Sequence, residues 1–199
     1  LRRLEKQFMA QTTAHRKQTK RAARPEPLLA LAAIGAIMIL IGLGLATVRR
    51  ERANVAAGNF PGETIATERP LLAVHDMGAP ADIPFLPKDG PQPNVAVPAT
   101  SYDFGRIGAQ EVVRRTFLVR NEGDAPLTIS RAYTTCGCTT ANISASIIPP
   151  GQAATVELVF DAGFHDSAGQ TVRRGVILEN NDPEQPQAEI WVQATVADN

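Results

Sequence analysis

Val112-Val113-Arg114-Arg115-Thr116-Phe117-Leu118-Val119-Arg120-Asn121-Glu122-Gly123-Asp124-Ala125-Pro126-Leu127-Thr128-Ile129 decides the fold. Within it Val113, Arg115, Phe117, Val119 and Asn121 fall on every second residue, and this set is largely apolar. A period of two is the mark of a strand with one face buried. Asn121-Glu122-Gly123-Asp124 is a turn, because Asn, Gly and Asp tolerate tight backbone angles. The alternation resumes at Leu127 and Ile129, in a strand read from Pro126 to Thr134.

The pattern extends in both directions. Upstream, Thr100 to Ile107 reads as an opening strand. Downstream, Ile148-Pro149-Pro150-Gly151 turns the chain, and Ala154, Val156, Leu158 and Phe160 then share an inward face. Val172, Arg174, Val176 and Leu178 continue on a further strand. Asn181-Asp182-Pro183-Glu184-Gln185-Pro186 turns the chain again, before Ile190, Val192, Ala194 and Val196, with Trp191 on the opposite face. About seven short strands in roughly one hundred residues predict an all-β, immunoglobulin-like sandwich of antiparallel sheets over residues 95–199.

The chain before this domain has a different composition. Residues 1–27 form a basic tail with eight Lys/Arg against Glu5 and Glu26, while residues 53–199 carry nine Lys/Arg against seventeen Asp/Glu. A net charge of zero therefore conceals a cationic head and an acidic body. Between them, Leu28 to Val48 contains no charged residue and one hydroxyl, Thr47. Twenty-one helical residues at about 1.5 Å each span about 31 Å, the thickness of a bilayer core. The stretch is read as a single transmembrane helix, with Pro25 and Pro27 at its start.

The cluster of Lys/Arg before the helix exceeds Arg49, Arg50 and Arg52 after it. That asymmetry places the N-terminus in the cytoplasm and the C-terminal domain outside the cytoplasmic (inner) membrane. It also favours membrane lipid over nucleic acid as the partner of the basic tail. A cleaved signal peptide ending near Val55-Ala56-Ala57 is the alternative, but the apolar run is longer than the usual signal core. Ala32, Gly35, Ile39, Gly42 and Ala46 recur at helical spacing, a small-residue face on which another membrane helix can pack.

Residues 49–94 read as an extended Pro-rich linker, because periodicity stops and prolines accumulate at 61, 70, 80, 84, 87, 91 and 93. Leu71, Leu72 and Val74, within Glu68 to Met77, are apolar enough to dock on another surface.

Several short motifs recur in order along the distal domain. They are Tyr102-Asp103-Phe104-Gly105, Phe117-Leu118-Val119-Arg120-Asn121-Glu122-Gly123, Pro126-Leu127-Thr128-Ile129, Cys136-Gly137-Cys138-Thr139, Ile148-Pro149-Pro150-Gly151 and Asn180-Asn181-Asp182-Pro183. This series resembles a bacterial domain family of unknown function marked by a Cys-Gly-Cys-Thr motif. The resemblance covers most of residues 98–197. It implies an immunoglobulin-like fold related to cell-surface and pilus-chaperone-type sandwiches, and it implies no agreed activity.

Cys136 and Cys138 are the only cysteines. Three readings stay open. A local disulfide would close across Gly137, which would supply unusual backbone angles, and would be readily reduced. A soft metal such as Cu(I) suits two close thiolates but needs further ligands, and His165 is the only histidine in the β domain. Small, partly buried cysteines also simply pack turns. No nucleophile elbow, phosphate-binding glycine loop or helical zinc motif is present. Asp161, Asp166 and Asp182 fall in turns and read as backbone caps. The sequence thus points to a non-enzymatic, cofactor-free, membrane-anchored interaction protein. It is read as an accessory subunit among other membrane-protein subunits of a respiratory or photosynthetic electron-transfer complex. A membrane-tethered thiol-redox or copper-handling protein is the alternative.

Overall fold

The computed structural model describes residues 34–47, 60–75 and 86–198. The chain divides into two units, Leu1–Thr47 and Val48–Asn199.

In the first unit, residues 34–47 form a helix, α1. Every side chain of α1 is exposed, including Ile37, Met38, Ile39 and Leu40. Thr47 donates its hydroxyl to the Gly44 carbonyl at 2.8 Å, so its polar group is satisfied within the helix. Among the described residues no helix is long and apolar enough to cross a membrane. The basic tail 1–27, residues 28–33 with Ala32, and Val48 lie outside the described residues.

The second unit is an all-β sandwich of two five-stranded sheets. Its strands are β1 (Leu71–Ala73), β2 (Val95–Ala96), β3 (Ser101–Ile107), β4 (Val112–Asn121), β5 (Leu127–Thr134), β6 (Thr139–Ile143), β7 (Ile147–Ile148), β8 (Ala153–Asp161), β9 (Thr171–Asn180) and β10 (Gln187–Val196). One sheet runs β1-β6-β8-β4-β2 and the other β3-β10-β9-β5-β7. The core lies between them. Phe117 and Val119 of β4, and Val156, Leu158 and Phe160 of β8, meet Leu127, Ile129, Val176, Leu178, Ile190 and Val192 from the facing sheet. The alternation read from the sequence is this inward face, and Trp191 points away from it as expected.

Two expectations change and one strand is added to them. The sheets are not wholly antiparallel: β3 joins β10 in parallel register, Ser101 opposite Trp191. Thr139, Ala141 and Ile143 form the inward face of β6, a strand whose small and hydroxyl-bearing residues hide its period. The segment 49–94, read as an extended Pro-rich linker apart from the β domain, contributes residues 60–75 to the sandwich. β1 pairs antiparallel with β6, Leu71 opposite Ile143. Ala66 donates its N–H to the Ala153 carbonyl at 2.8 Å, and Ala66 and Ala73 are buried. Glu63 accepts from Arg120 of β4. The strap docks on the chain's own sandwich through the buried Ala66 and Ala73 and the half-buried Leu71, whereas Leu72 and Val74, the other apolar residues expected to dock, stay exposed. Residues 48–59 and 76–85 lie outside the described residues.

Candidate functional site: the Cys136–Cys138 turn

β5 belongs to one sheet and β6 to the other, so the four residues between them cross from sheet to sheet at one end of the sandwich. Thr134, 1% exposed, donates its hydroxyl to the carbonyls of Cys136 (3.0 Å) and Thr139 (2.9 Å). The Thr139 N–H donates to the Cys136 carbonyl, and the Asp161 N–H to the Cys138 carbonyl. Thr135 and Gly175 of β9 bond reciprocally, N–H to carbonyl and N–H to hydroxyl, each at 3.0 Å. From the strap, the Val74 carbonyl accepts the Thr134 N–H, and His75 Nδ1 lies 2.9 Å from the Thr134 carbonyl oxygen.

Cys136 and Cys138 are joined by a disulfide with a Cα–Cα separation of 5.3 Å. Of the three readings of the pair, this geometry is the local disulfide. The loop it closes is minimal, so its chain-entropy contribution is about 1.5 kcal/mol, against about 3 for a 15-residue loop. The hydrogen bonds above hold the turn alongside it.

The two sulfurs differ in surroundings. Cys138 is 4% exposed and packs in the core, whereas Cys136 is half-buried. Arg174 of β9 donates its Nε–H to Cys138 Sγ at 3.2 Å. The Thr139 hydroxyl lies 3.2 Å from Cys136 Sγ and 3.7 Å from Cys138 Sγ. Gly137 does not adopt a positive φ, so it is not needed for unusual backbone angles. It makes room instead: a Cβ there would lie 3.2 Å from the ring of Phe164, in the short 3-10 helix Ala162–Phe164.

Other candidate residues have ordinary roles or stay apart. His165 is exposed and packs its ring edge-on against Phe164 at 4.8 Å. Among the described residues no group of three or more His, Cys, Asp or Glu is placed to hold a metal, so the two cysteines gain no third donor. The Asp161 carboxylate caps the 3-10 helix by accepting the Gly163 N–H. Asp182 accepts the backbone N–H groups of Val95, Glu184 and Gln185. Among the described residues every buried side-chain nitrogen or oxygen has a partner, so no orphaned polar group marks a ligand cavity. Gly35, Ile39, Gly42 and Ala46 lie exposed on α1, and among the described residues a Cβ on Gly35 or Gly42 would meet nothing within 4 Å.

Arg174, Thr134 and Phe164 were not singled out as site residues by sequence reasoning. One signal for Arg174 was visible: a charged residue in the inward phase of Val172, Arg174, Val176 and Leu178. Arg115 gave the same signal in β4, and there the guanidinium lies over the Tyr102 ring, 4.2 Å from its centroid.

Residues 95–196 match the family described as "Protein of unknown function (DUF1573)". The chain belongs to that family. The DUF1573 match covers the sandwich without the strap or α1 and supplies no activity. No match was found among curated proteins. Among solved structures, the chain is similar to a protein of unknown function from Porphyromonas gingivalis W83, at 23% identity and a TM-score of 0.47, over 52% of this chain and 46% of that one. It is also similar to the ASH / PapD-like domain 7 of human CEP192 (10% identity, TM-score 0.42, 62% of this chain and 99% of that domain). The YadV chaperone is a third (16% identity, TM-score 0.38, 51% of each chain). The chain thus spans about half the length of the Porphyromonas gingivalis protein.

Proposed function

We propose that the chain is a membrane-anchored interaction protein without catalytic activity of its own, holding its DUF1573 sandwich outside the cytoplasm as an accessory subunit of a larger membrane complex. The observation that carries this reading is α1. Its eight large apolar side chains, Ile34, Ile37, Met38, Ile39, Leu40, Ile41, Leu43 and Leu45, are each more than half exposed. Leaving such a side chain in water forgoes about 1.5–3 kcal/mol, so this helix requires lipid or other helices around it. Extended over Leu28 to Val48, the run reaches the length of a bilayer core. The disulfide in the sandwich supports the outward orientation, because such bonds persist in oxidising compartments. Respiratory and photosynthetic electron-transfer assemblies are the proposed setting.

The test begins with fractionation of bacteria expressing the full chain. It should stay with membranes through alkaline carbonate extraction; release into the soluble fraction would reject the anchor. A C-terminally tagged chain purified in mild detergent should then bring stoichiometric membrane subunits, identified by mass spectrometry and an absorbance spectrum. Replacing Gly35 and Gly42 with Leu should remove them by blocking the small-residue face. Purification of the chain alone would overturn the subunit reading while leaving the anchor intact.

A further inference from the structure

The turn is held by hydrogen bonds from Thr134, Thr139, Asp161 and the Thr135–Gly175 pair as well as by the sulfur–sulfur bond. Around that bond the protein is asymmetric. Cys138 is buried beside a cation and Cys136 is half-buried. The ion pairs among the described residues use Arg106, Arg120 and Arg131, whereas Arg174 meets no carboxylate there. Its other hydrogen bond goes to the Arg173 carbonyl. A disulfide sulfur is a weak acceptor and leaves a guanidinium poorly matched. A thiolate in the same place makes a charge-assisted hydrogen bond, roughly twice as strong as a neutral one. The contact therefore favours the state in which Cys138 carries negative charge.

We propose that the Cys136–Cys138 disulfide undergoes thiol–disulfide exchange with a dithiol on a partner protein, Cys136 being the sulfur attacked and Cys138 the leaving group. A partner thiolate attacks Cys136 Sγ. A bond forms between the partner sulfur and Cys136 Sγ, the Cys136–Cys138 bond breaks, and its electron pair leaves on Cys138 Sγ, where the Arg174 Nε–H receives it. The partner's second thiol loses its proton, attacks the partner sulfur of the mixed disulfide and releases Cys136 as a thiolate. In sum the partner dithiol is oxidised to a disulfide and the cysteine pair is reduced by two electrons, the proton of the partner's second thiol ending on Cys136 while Cys138 remains a thiolate beside Arg174. Val74, whose carbonyl holds Thr134, and Phe164, whose ring faces Gly137, are both exposed and give an incoming chain apolar contact beside the turn.

The test uses the full chain in detergent, folded and oxidised, with dithiothreitol as reductant and, for the single-cysteine variants, oxidised glutathione as the probe of the free thiol. Dithiothreitol should reduce the wild type without denaturant. Arg174→Gln should slow that reduction by about tenfold, the loss of one charge-assisted hydrogen bond to the leaving sulfur, and Arg174→Lys should restore part of the rate. Circular dichroism of each variant separates this effect from misfolding. Cys138→Ser should accumulate a glutathione adduct on Cys136, and Cys136→Ser should leave Cys138 unmodified until the protein is unfolded. Reduction of a folded Arg174→Gln protein at the wild-type rate would overturn the proposal. So would faster adduct formation at Cys138 than at Cys136, or resistance of the wild type to dithiothreitol until denatured.

Discussion

At the Leu127 end of β5, side chains are committed to the backbone. Asn121, 1% exposed, donates to the carbonyls of Ala125 and Ile148 and accepts from the N–H groups of Asn94 and Gly123. Asn181 accepts from Thr128 and donates to the Pro126 carbonyl, and Asp182 accepts three backbone N–H groups. At the Thr134 end, backbone bonds and the Thr134 hydroxyl hold the turn, and the two sulfurs are joined to each other. Both ends carry motif residues of the family resemblance, but they carry them for different reasons. In the first, the side chains are the fold. In the second, backbone bonds and the Thr134 hydroxyl brace the turn beside the disulfide, so the sulfurs are not its sole closure.

That contrast is broken most directly at Asn121. Asn121→Ala strands two buried carbonyls and two N–H groups, and should lower stability by about 3 kcal/mol. Urea unfolding of the full chain in detergent, followed through Trp191 fluorescence, reads it. A midpoint equal to wild type would mean that water or neighbouring groups replace Asn121, and that this end is no more dependent on its side chains than the other. Gly123→Ala probes the same end by space: a Cβ there would lie 2.3 Å from the Gln92 carbonyl oxygen and 2.5 Å from the Asn94 nitrogen. Backbone cannot yield as a side chain does, so a loss of about 2 kcal/mol is expected.

How much of this was legible follows the same division. The long strands β4, β8, β9 and β10 announce themselves because each shows a period of two in large apolar residues over nine or ten positions. β1, β2 and β7 are two or three residues long, too short to show any period. The strap was hidden further by its prolines, and only Leu71, Leu72 and Val74 hinted that it had somewhere to dock. Asp182 and Asp161 were rightly read as backbone caps, because the chemistry of a short carboxylate in a turn is local. The site at Cys138 was not local. Arg174 reaches it across thirty-six residues, and a sequence shows a misplaced charge in an inward phase without showing what it faces.

The Cys136→Ser, Cys138→Ser double variant sharpens the comparison from the other end. Its loss should be at most about 1.5 kcal/mol, the chain-entropy share of so small a loop, and well below the Asn121→Ala effect in the same urea titration. A loss as large as that of Asn121→Ala would make the disulfide a structural staple and erase the difference between the two ends.

Gly137→Ala should have the smallest effect, and it is the paired control for Gly123→Ala. Both glycines sit in turns, and a Cβ at either meets a neighbour at short range. At Gly123 the neighbour is backbone, while at Gly137 it is the ring edge of Phe164, 3.2–3.3 Å away. That ring is 56% exposed and can swing outward by a rotamer change. The expected cost is therefore within about 0.5 kcal/mol, as for surface substitutions. A cost near that of Gly123→Ala would show that Phe164 is fixed on the turn. The Thr134 end would then be as tightly built as the Leu127 end, and an incoming thiol would have to displace the ring to reach Cys136.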